Sequence, residues 1–518
     1  MRQGARSLFG RSGKGEGRRF PVRYLAVAAG GVIEAAAIIA CAVLACAVIP
    51  HFWVVAWVVQ AVCAVRIVAS DDNPDYKLPW LLFVVALPVI GVTLYLMFYS
   101  RKLSPGYIRR ALSHQGEYDY DHSIAISELK EKDEVAFSQV KMLCEISGSH
   151  LFSGTDMQYF PLGEELFDGL IEDVQHAERF IFLEYFIIKE GLLWDRLFAA
   201  LCSRAAVGVE VRLLYDDVGC MPTLPKDFEE KLAMHGITAV AFSKIKIWAD
   251  GRINNRNHRK LAVIDGAVAY TGGVNIGDEY VNIKPRFGHW KDGGLRLKGP
   301  AVWEITRLFH TDFGLSCKKS VDFIGELYPA CDSDATGFAV PYGDGPKPIF
   351  RHNVTKLVIQ NLLATATRYA YFTSPYLIMD NELCKSFERA AMRGVDVRIV
   401  LPFVPDKKLV FSVTRSFYPR LTACGVSVYE YTPGFMHAKN CVCDDRWAIV
   451  GSANLDYRSL AHHFECGVLI YGAECVKDVL ADFDRILEKS KKVAENTQKT
   501  GFFERIGRAI ARIFAPLL

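Results

Sequence analysis

Apolar residues are concentrated in three long runs near the start of the chain, at residues 24–49, 52–69 and 78–99. The first run is long enough to cross a bilayer core of about 30 Å, and its single charged residue is Glu34. The second is interrupted by one Gln and one Arg and is the weakest span, whereas the third is uncharged with aromatic residues near both ends. A cleaved signal peptide has a shorter apolar stretch and no further spans, so the pattern predicts an integral membrane protein with two to three transmembrane helices.

Basic residues flank this apolar segment on both sides. Residues 1–23 contain seven Arg or Lys and one Glu, and residues 101–110 read RKLSPGYIRR. The positive-inside rule assigns both stretches to the cytoplasmic side, which requires an even number of crossings. Three apolar runs conflict with that requirement, and the second run is the one we expect to be interfacial or fused with a neighbour. We expect the part that follows to be cytoplasmic.

Beyond residue 110 short apolar runs alternate with amphipathic stretches. RFIFLEYFII at 179–188 predicts a buried strand, LLWDRLFAALCSRAAV a helix, and GVEVRLLYDD at 208–217 a second strand. The same order returns in RYAYFTSPYLI at 368–378, ELCKSFERAAMR, and GVDVRIVLPF at 394–403. The near identity of GVEVR and GVDVR indicates an internal duplication, and the order strand, helix, strand predicts an α/β sheet in each half.

A short polar pattern follows the GVEVR and GVDVR strands in both halves. Each copy reads His-x-Lys, four residues, Asp, six residues and Gly-x-x-Asn. The residues are His258, Lys260, Asp265, Gly272 and Asn275 in the first copy, and His437, Lys439, Asp444, Gly451 and Asn454 in the second. Both copies predict a β-hairpin with the Asp at its turn, and in a strand the His and Lys point to one face. Two complete copies within a duplication are a far stronger signal than one.

These residue types suit chemistry on a phosphodiester. Lys and Asn bind phosphate oxygens, Gly lets backbone N–H groups approach, and His acts as a nucleophile or a proton donor near neutral pH. Two sets that meet across a pseudo-twofold interface would surround one phosphodiester, so that one His attacks phosphorus while the other protonates the leaving oxygen. Lys260, Lys439, Asn275 and Asn454 then neutralise the developing charge, so we expect no metal.

Two later carboxylates are candidates to set the tautomer and basicity of the imidazoles. Glu465 lies downstream of the second motif and Asp292 at the matching place after the first. We therefore predict that Glu465 supports His437 and that Asp292 supports His258. Asp265 and Asp444 complete the signatures and are counted with the catalytic set, although their turn positions favour turn chemistry or a structural salt bridge.

Composition excludes several other classes of site. The chain has 518 residues, a net charge of +3 and fourteen cysteines, none of them in a CxxC pair. Neither a zinc site nor a thioredoxin-type motif is therefore supported, and adjacent lysines would oppose a metal at the histidines. Cys441 and Cys443 are expected to be buried as small apolar residues. No cofactor and no nucleic-acid module is predicted.

The paired signatures resemble those of the phospholipase D superfamily. The stretches LPWLLFVVALPVIGVTLYLMF, LLYDDVG, FGHWKDGGLRLKGPAV, TSPYLI and EYTPGFMHAKN are similar to the bacterial cardiolipin synthase family, over essentially the whole chain from residue 24. The resemblance implies transfer of a phosphatidyl group between two phosphatidylglycerol molecules in the bacterial cell membrane, which gives cardiolipin and glycerol. It further implies His258 as the nucleophile that forms a phosphohistidine and His437 as general acid and then general base. Gly273 departs from the family pattern, because the second motif and the family have Ser there, which is Ser452 in this chain. We count Ser452 as a phosphate ligand and expect that contact to be missing on the Gly273 side.

The C-terminal sequence GFFERIGRAIARIFAPLL has apolar residues at alternating three- and four-residue spacing and arginines on other faces. This pattern predicts a basic amphipathic helix on an anionic membrane, the alternative being a helix packed on the protein body.

The predicted fold is α/β, with two pseudo-symmetric phospholipase D-type α/β sandwich halves behind an N-terminal transmembrane helical segment. The predicted divisions are a basic tail at 1–23, the transmembrane segment at 24–99, a linker at 100–135, the first half at 136–335, the second half at 336–495, and the amphipathic helix at 496–518. A phospholipase D-type hydrolase that releases phosphatidic acid, a nuclease and a membrane scaffold with degenerate sites are the alternatives. The apolar anchors oppose the nuclease, and the intact His, Lys and Asn residues oppose the scaffold. Motif chemistry alone leaves transfer and hydrolysis open, because both share the phosphoenzyme and differ in water exclusion.

Overall fold

The computed structural model describes residues 22–99, 106, 108–109, 120–244, 254–317, 335–494, 507, 511–513 and 515. Residues 1–21 of the predicted basic tail, most of the linker up to residue 119, and most of the predicted C-terminal helix lie outside the described residues. Of that helix, Ala515 is buried and the guanidinium of Arg512 lies 4.7 Å from the ring centroid of Phe417. These two contacts favour packing on the protein body, the alternative reading of this segment.

The apolar N-terminal segment forms two long helices and a broken third stretch. Val22–Val48 and Phe52–Ala69 contain the two described stretches that are long and apolar enough to cross a membrane, and most of their apolar side chains are exposed. The third run is divided into helices Pro74–Ala86 and Pro88–Leu94, followed by a π-helix at Tyr95–Tyr99.

The prediction that the second apolar run is the weakest span was therefore wrong, since it is the third run that lacks a continuous helix. Leu87 leaves the helical region with φ −131° and ψ 79°, directly before Pro88. Proline has no N–H to donate and disfavours helical geometry in the preceding residue, which explains the break.

The part of the chain that follows the N-terminal helices is built on two large mixed sheets, as an α/β fold requires. The strands of the seven-stranded sheet are, in spatial order, Asp156–Phe160, Gly294–Lys298, Val268–Gly272, Lys260–Ile264, Phe180–Tyr185, Glu210–Asp216 and Ile237–Phe242. Those of the nine-stranded sheet are Phe152–Ser153, Phe338–Asp344, Glu465–Tyr471, Trp447–Gly451, Asn440–Cys443, Tyr369–Thr373, Asp396–Pro402, Ser427–Tyr431 and Ser490–Lys492. The predicted strands and the two motif hairpins are confirmed.

Six consecutive strands of each sheet have the same order and the same relative directions. In the first sheet the run from Gly294–Lys298 to Phe180–Tyr185 is antiparallel throughout, and the next two strands are parallel. The run from Glu465–Tyr471 to Tyr369–Thr373 in the second sheet repeats this pattern, again followed by two parallel strands. Each histidine motif therefore occupies the same central strands of its own sheet.

Helices cover the sheets and join them. The described helices between residues 120 and 494 are Ser123–Lys132, Glu134–Ser147, Gly163–Gln175, Leu192–Ala205, Asp217–Cys220, Phe228–Ala233, Val302–Cys317, Val354–Thr365, Asn381–Met392, Lys408–Thr422, Tyr457–Ala461 and Cys475–Glu488. Helix Val302–Cys317 is buried along nearly its whole length because it contacts strands of both sheets. Cys441 and Cys443 are buried within their strand, as predicted.

A short parallel strand pair connects the two halves next to the motifs. Gly434–Met436, just before His437, pairs with His289–Lys291, just before Asp292. The backbone N–H of His437 donates to the carbonyl of Lys291 at 2.7 Å. A Cβ atom on Gly434 would lie 2.4 Å from backbone atoms of His289, so this crossing needs a residue without a side chain. The crossing brings the second motif against the first half.

Candidate active site

His258 is hydrogen-bonded to a carboxylate of the second half. Its Nδ1 lies 2.9 Å from Oε1 and 3.0 Å from Oε2 of Glu465, and its backbone N–H donates to the carbonyl of Phe464 at 2.8 Å. His258 is 7% exposed and Glu465 is fully buried. The predicted pairing of His258 with Asp292 was therefore wrong.

His437 makes the reciprocal contact with the first half. Its Nδ1 is bonded to Oδ2 of Asp292, whose Oδ1 accepts the backbone N–H of Gly293 at 3.0 Å. The predicted pairing of His437 with Glu465 was therefore also wrong. A carboxylate can follow its own motif in sequence and still face the other histidine, since the interface between the halves runs through both.

The two lysines stand beside the imidazoles, as the His-x-Lys spacing predicts. Lys260 and Lys439 each donate from Nζ to the backbone carbonyl of the histidine two residues earlier. Both side chains are buried. Burial lowers the pKa of Lys260 to about 8 and that of Lys439 to about 7, because a low-dielectric site disfavours the charged ammonium. The carboxylates of Glu465 and Asp292 oppose this shift.

Both imidazoles are neutral near pH 7. Burial and the adjacent Lys260 hold the pKa of His258 well below its usual range, and Lys439 and His437 add to the effect. Burial and Lys439 lower the pKa of His437 to about 4, although Asp292 opposes the shift. The lysine of each motif lowers the pKa of the histidine of the other motif, so the four groups share one electrostatic site. Burial raises the pKa of Asp292, but Lys439 and His437 outweigh it and lower the pKa to about 2.

The hydroxyl of Ser452 is hydrogen-bonded to the carboxylate of Glu465. Its hydroxyl donates to Oε2 of Glu465 at 2.5 Å and accepts the backbone N–H of Cys466 at 3.0 Å, and the side chain is fully buried. The hydroxyl proton is therefore engaged on Glu465, in place of the predicted phosphate contact. The matching residue Gly273 has no room for a hydroxyl, since a Cβ atom there would lie 2.2 Å from Oδ1 of Asp292.

The two signature asparagines are buried at the ends of their hairpins. Oδ1 of Asn275 accepts the backbone N–H of Ile187 at 3.2 Å, and Nδ2 of Asn454 donates to Oδ2 of Asp456 at 3.0 Å. Asn275 is 2% and Asn454 6% exposed. Both amides are fixed by these bonds within the motif loops.

The signature aspartates lie at the far ends of the hairpins and make structural contacts. Asp265 accepts backbone N–H groups of Glu178, Arg179 and Phe180 at 2.7 to 2.8 Å, and Asp444 those of Thr367, Arg368 and Tyr369 at 2.7 to 2.9 Å. Both have positive φ, 54° and 53°, as tight hairpin turns require. Each aspartate is five positions beyond its lysine, about 16 Å along the strand. Their inclusion in the catalytic set was wrong, and the turn role is the one observed.

A buried polar network behind His258 was not predicted. Nε of Arg259 donates to the carbonyl of Glu465 at 2.9 Å, and its Nη1 lies 2.6 Å from Oδ2 of Asp312. Asn257 donates from Nδ2 to Glu184 at 2.6 Å and to Asp312 at 3.2 Å. The signal was present in the run NNRNHRK, because an Arg directly before a buried strand needs a buried carboxylate partner.

Aromatic rings flank the two imidazoles differently. The ring centroid of His463 lies 5.5 Å from that of His258, and the centroid of Trp290 lies 5.0 Å from that of His437. His463 and Trp290 each precede the supporting carboxylate by two residues, so they hold matching positions. Burial lowers the pKa of His463 to about 3, which keeps this ring neutral. One histidine therefore has a polar neighbour where the other has an indole.

One group of donor atoms has the spacing of a metal site. Donor atoms of His258, His463 and Glu465 lie within 4.8 Å of one another. The positive charges of Lys260 and Lys439 act on His258, and Glu465 already accepts bonds from His258 and Ser452. Because neighbouring ammonium groups oppose a cation, these residues fit a bound anion better than a metal ion.

Known proteins share both the domain and the N-terminal segment. The family model described as cardiolipin synthase, PLD-like domain, matches residues 170–284 and 359–487, and each match contains one histidine motif. The model described as phospholipase D-nuclease N-terminal matches residues 54–98.

Full-length relatives cover most of the chain. A cardiolipin synthase of Halalkalibacterium halodurans is 30% identical over 474 residues, which are 90% of this chain and 94% of the relative. Cardiolipin synthase 2 of Staphylococcus epidermidis is 32% identical over 452 residues, 85% of this chain and 92% of the relative. The crystal structure of phosphatidylserine synthase from Haemophilus influenzae matches with a TM-score of 0.58 at 13% identity, over 74% of this chain and 99% of that one, which shows a shared fold. With two histidine motifs joined in one site and relatives of at least 30% identity matched over more than nine-tenths of their length, the chain belongs to the cardiolipin synthase family, enzymes of the phospholipase D superfamily.

Proposed function

We propose that the protein is a membrane-bound phosphatidyltransferase that converts two phosphatidylglycerol molecules into cardiolipin and glycerol. The observation that carries the proposal is the pair of buried imidazoles, each bonded at Nδ1 to a carboxylate of the other half. A carboxylate at Nδ1 keeps the proton on that nitrogen, so Nε2 carries the lone pair used in the reaction. Two such groups supply one nucleophile and one proton donor.

In the first step Nε2 of His258 attacks the phosphorus of one phosphatidylglycerol. A P–N bond forms, the bond from phosphorus to the glycerol oxygen breaks, and His437 gives that oxygen a proton. The anionic phosphodiester raises the pKa of His437 above its value in the empty site, because it brings negative charge next to the imidazole. Glycerol leaves, and the phosphatidyl group remains on His258 as a phosphohistidine.

In the second step a hydroxyl of another phosphatidylglycerol replaces glycerol. His437 takes the hydroxyl proton, the oxygen attacks phosphorus, and the P–N bond breaks to restore His258. Lys260, Lys439 and the amides of Asn275 and Asn454 bind the nonbridging oxygens in both steps and balance their charge. Water in place of the second lipid would give phosphatidic acid, the hydrolase alternative.

The site is formed by both halves, which we relate by a pseudo-twofold axis. It also requires a fixed position at the bilayer. We place helices Val22–Val48 and Phe52–Ala69 across the membrane as two spans. An even number of crossings leaves both basic stretches, 1–23 and 101–110, on one side, as the positive-inside rule requires. That side is the cytoplasm, and the catalytic part lies there. In a variant whose native cysteines are replaced by alanine, labelling of single introduced cysteines in intact cells checks the orientation, since protection at residue 141 and exposure at residue 50 are expected.

The reaction is tested with purified full-length protein in mixed micelles of phosphatidylglycerol labelled in its acyl and glycerol parts, with excess EDTA. Cardiolipin and free glycerol in equal amounts, absent with His437→Ala, are the expected products by mass spectrometry. Phosphatidic acid without cardiolipin would make water the acceptor and overturn the transferase.

A further inference from the structure

A groove of about 670 Å³ lies between the N-terminal helices and the second half. One wall is the turn Asp71–Asp75, which follows the end of helix Phe52–Ala69. The other wall comes from the loop around Lys347 and Arg351 and from helix Asn381–Met392. This volume is in the range of sites that bind small molecules.

The two walls are held together by hydrogen bonds. Nδ2 of Asn73 donates to Oδ2 of Asp380 at 2.6 Å, and the backbone N–H of Asn381 donates to Oδ2 of Asp75 at 2.6 Å. The hydroxyl of Tyr457 also donates to Oδ2 of Asp75, at 3.2 Å. The groove is therefore a built feature of the junction, since four side chains and one backbone group fix its shape.

The groove has a surplus of uncommitted positive charge. Lys347, Arg351, Lys385 and Arg389 line it and are exposed, and among the described residues none of the four has a carboxylate within ion-pairing distance. The acids of the lining are mostly engaged. Glu382 pairs with Lys356, Asp72 accepts the hydroxyl of Tyr99 at 2.6 Å, and Asp75 accepts the two bonds given above. The lining holds five cations and four carboxylates, and its four exposed cations without an ion-pair partner among the described residues favour an anionic ligand.

The position of the groove near a helix end favours a lipid headgroup as the ligand. Asp71 follows the last residue of helix Phe52–Ala69 by two positions, so the groove opens within about 7 Å of that helix end. If the helix spans the bilayer, as proposed above, this is the depth of the lipid headgroups. Lys and Arg side chains at that depth bind lipid phosphates.

We infer that this groove is a binding site for the phosphate headgroup of an anionic phospholipid, separate from the histidine site. Such a site requires the membrane placement proposed above, because a headgroup reaches the groove only from the bilayer surface. A bound lipid bridges the transmembrane helices and helix Asn381–Met392. Through Tyr457, which follows Asp456 at the second motif, the bridge also reaches the loop that carries Asn454.

Lipid binding is measured apart from turnover. The parent is the full-length His258→Ala, His437→Ala protein in non-ionic detergent, titrated with phosphatidylglycerol or phosphatidylcholine and examined by native mass spectrometry. The groove variant adds K347Q, R351Q, K385Q and R389Q. A matched control adds K141Q, R196Q, K226Q and K477Q, which change the net charge equally at exposed sites elsewhere. A milder variant, K385Q with R389Q, changes only one exposed helix face.

The groove variant is expected to lose one bound phosphatidylglycerol, with affinity at least about tenfold weaker, while the control keeps the affinity of the parent. Phosphatidylcholine binding is expected to be equal in all proteins. The milder variant is expected to be intermediate and to melt at the temperature of the parent. Equal phosphatidylglycerol affinity in the parent and the groove variant would overturn the site, as would an equal loss in the control. Full displacement of the lipid by millimolar inorganic phosphate would also overturn it, in favour of a site for free phosphate. Because the parent is inactive, each result stands whether or not the transferase reaction is found.

Discussion

Nδ1 of His258 lies 2.9 Å from Oε1 of Glu465, a residue 207 positions further along the chain and in the other half of the protein. His437 and Asp292 make the reciprocal contact across 145 positions. Each imidazole and the carboxylate that it contacts therefore belong to different halves of the protein. Four side chains, two from each copy, make one site.

The crossed pairing predicts that Glu465 supports the attack by His258 and that Asp292 supports proton transfer by His437. Glu465→Gln is expected to slow formation of the phosphoenzyme by about 10²- to 10⁴-fold, because the amide no longer fixes the proton on Nδ1 of His258. Asp292→Asn is expected to slow proton transfer to glycerol by a similar factor. Rapid-quench rates on phosphatidylglycerol and on a lipid with a p-nitrophenol leaving group separate the two, since only the defect of Asp292→Asn is relieved by a leaving group that needs no proton. The opposite assignment of effects would restore the pairing within each half.

A lipid with a p-nitrophenol leaving group distinguishes the two histidines. Nitrophenolate departs without a proton, so His437→Ala is expected to release about one equivalent in a burst and leave the phosphatidyl group on His258. His258→Ala is expected to show no burst. Stopped-flow absorbance gives the burst, and mass spectrometry of the quenched protein identifies the labelled histidine. A burst in His258→Ala alone would reverse the two roles.

The lowered pKa values of Lys260 and Lys439 predict a loss of activity at alkaline pH. Burial lowers the pKa of Lys439 to about 7 and that of Lys260 to about 8, so both are charged below these values and lose their charge as the pH rises. The value of kcat/KM is expected to fall through pH 7 to 8, and kcat at a higher pH, because bound phosphate favours the ammonium form.

Lys439→Arg provides the control for the pH profile. Arginine stays charged over the whole range, so the alkaline fall attributable to position 439 is expected to disappear even if the maximal rate is lower. Initial rates between pH 5 and pH 10 at saturating and at low lipid check both statements. An unchanged alkaline limb in Lys439→Arg would contradict this assignment.

The turn aspartates are expected to affect stability and to leave the chemistry intact. Asp444→Ala removes an acceptor of three backbone N–H groups and is expected to lower the free energy of unfolding by about 1–3 kcal/mol. Asp444→Asn is expected to cost less, because Asn tolerates positive φ and keeps one acceptor oxygen. Urea denaturation in micelles measures stability. A rate per folded molecule that falls as far as in His437→Ala would instead make Asp444 catalytic.

Local features of the fold could be predicted from sequence, and contacts between distant elements could not. The strands at 179–188 and 394–403 and the Asp-Gly turn at 265–266 have signals within a few residues, and the structure confirms them. The pairing of the carboxylates depends on how strand Gly434–Met436 meets strand His289–Lys291. No local pattern encodes that meeting, so the sequence order of motif and carboxylate led to the wrong partners.

Two other features have local signals in the sequence. Leu-Pro at 87–88 ends a helix within the third apolar run, because proline cannot continue the hydrogen bonding of the preceding turn. Gly273 departs from the serine of the second motif, and the structure explains it by the lack of space beside Asp292. A single glycine in place of a polar residue at a matched position indicates close packing as readily as a lost contact.

The exchange of carboxylates also has a genetic consequence. After a duplication one copy is ordinarily free to drift, because the other preserves the original activity. Here each copy holds the acid that contacts the other copy's imidazole, so loss of either copy removes one imidazole and leaves the other without its acid. The two copies are therefore under joint selection.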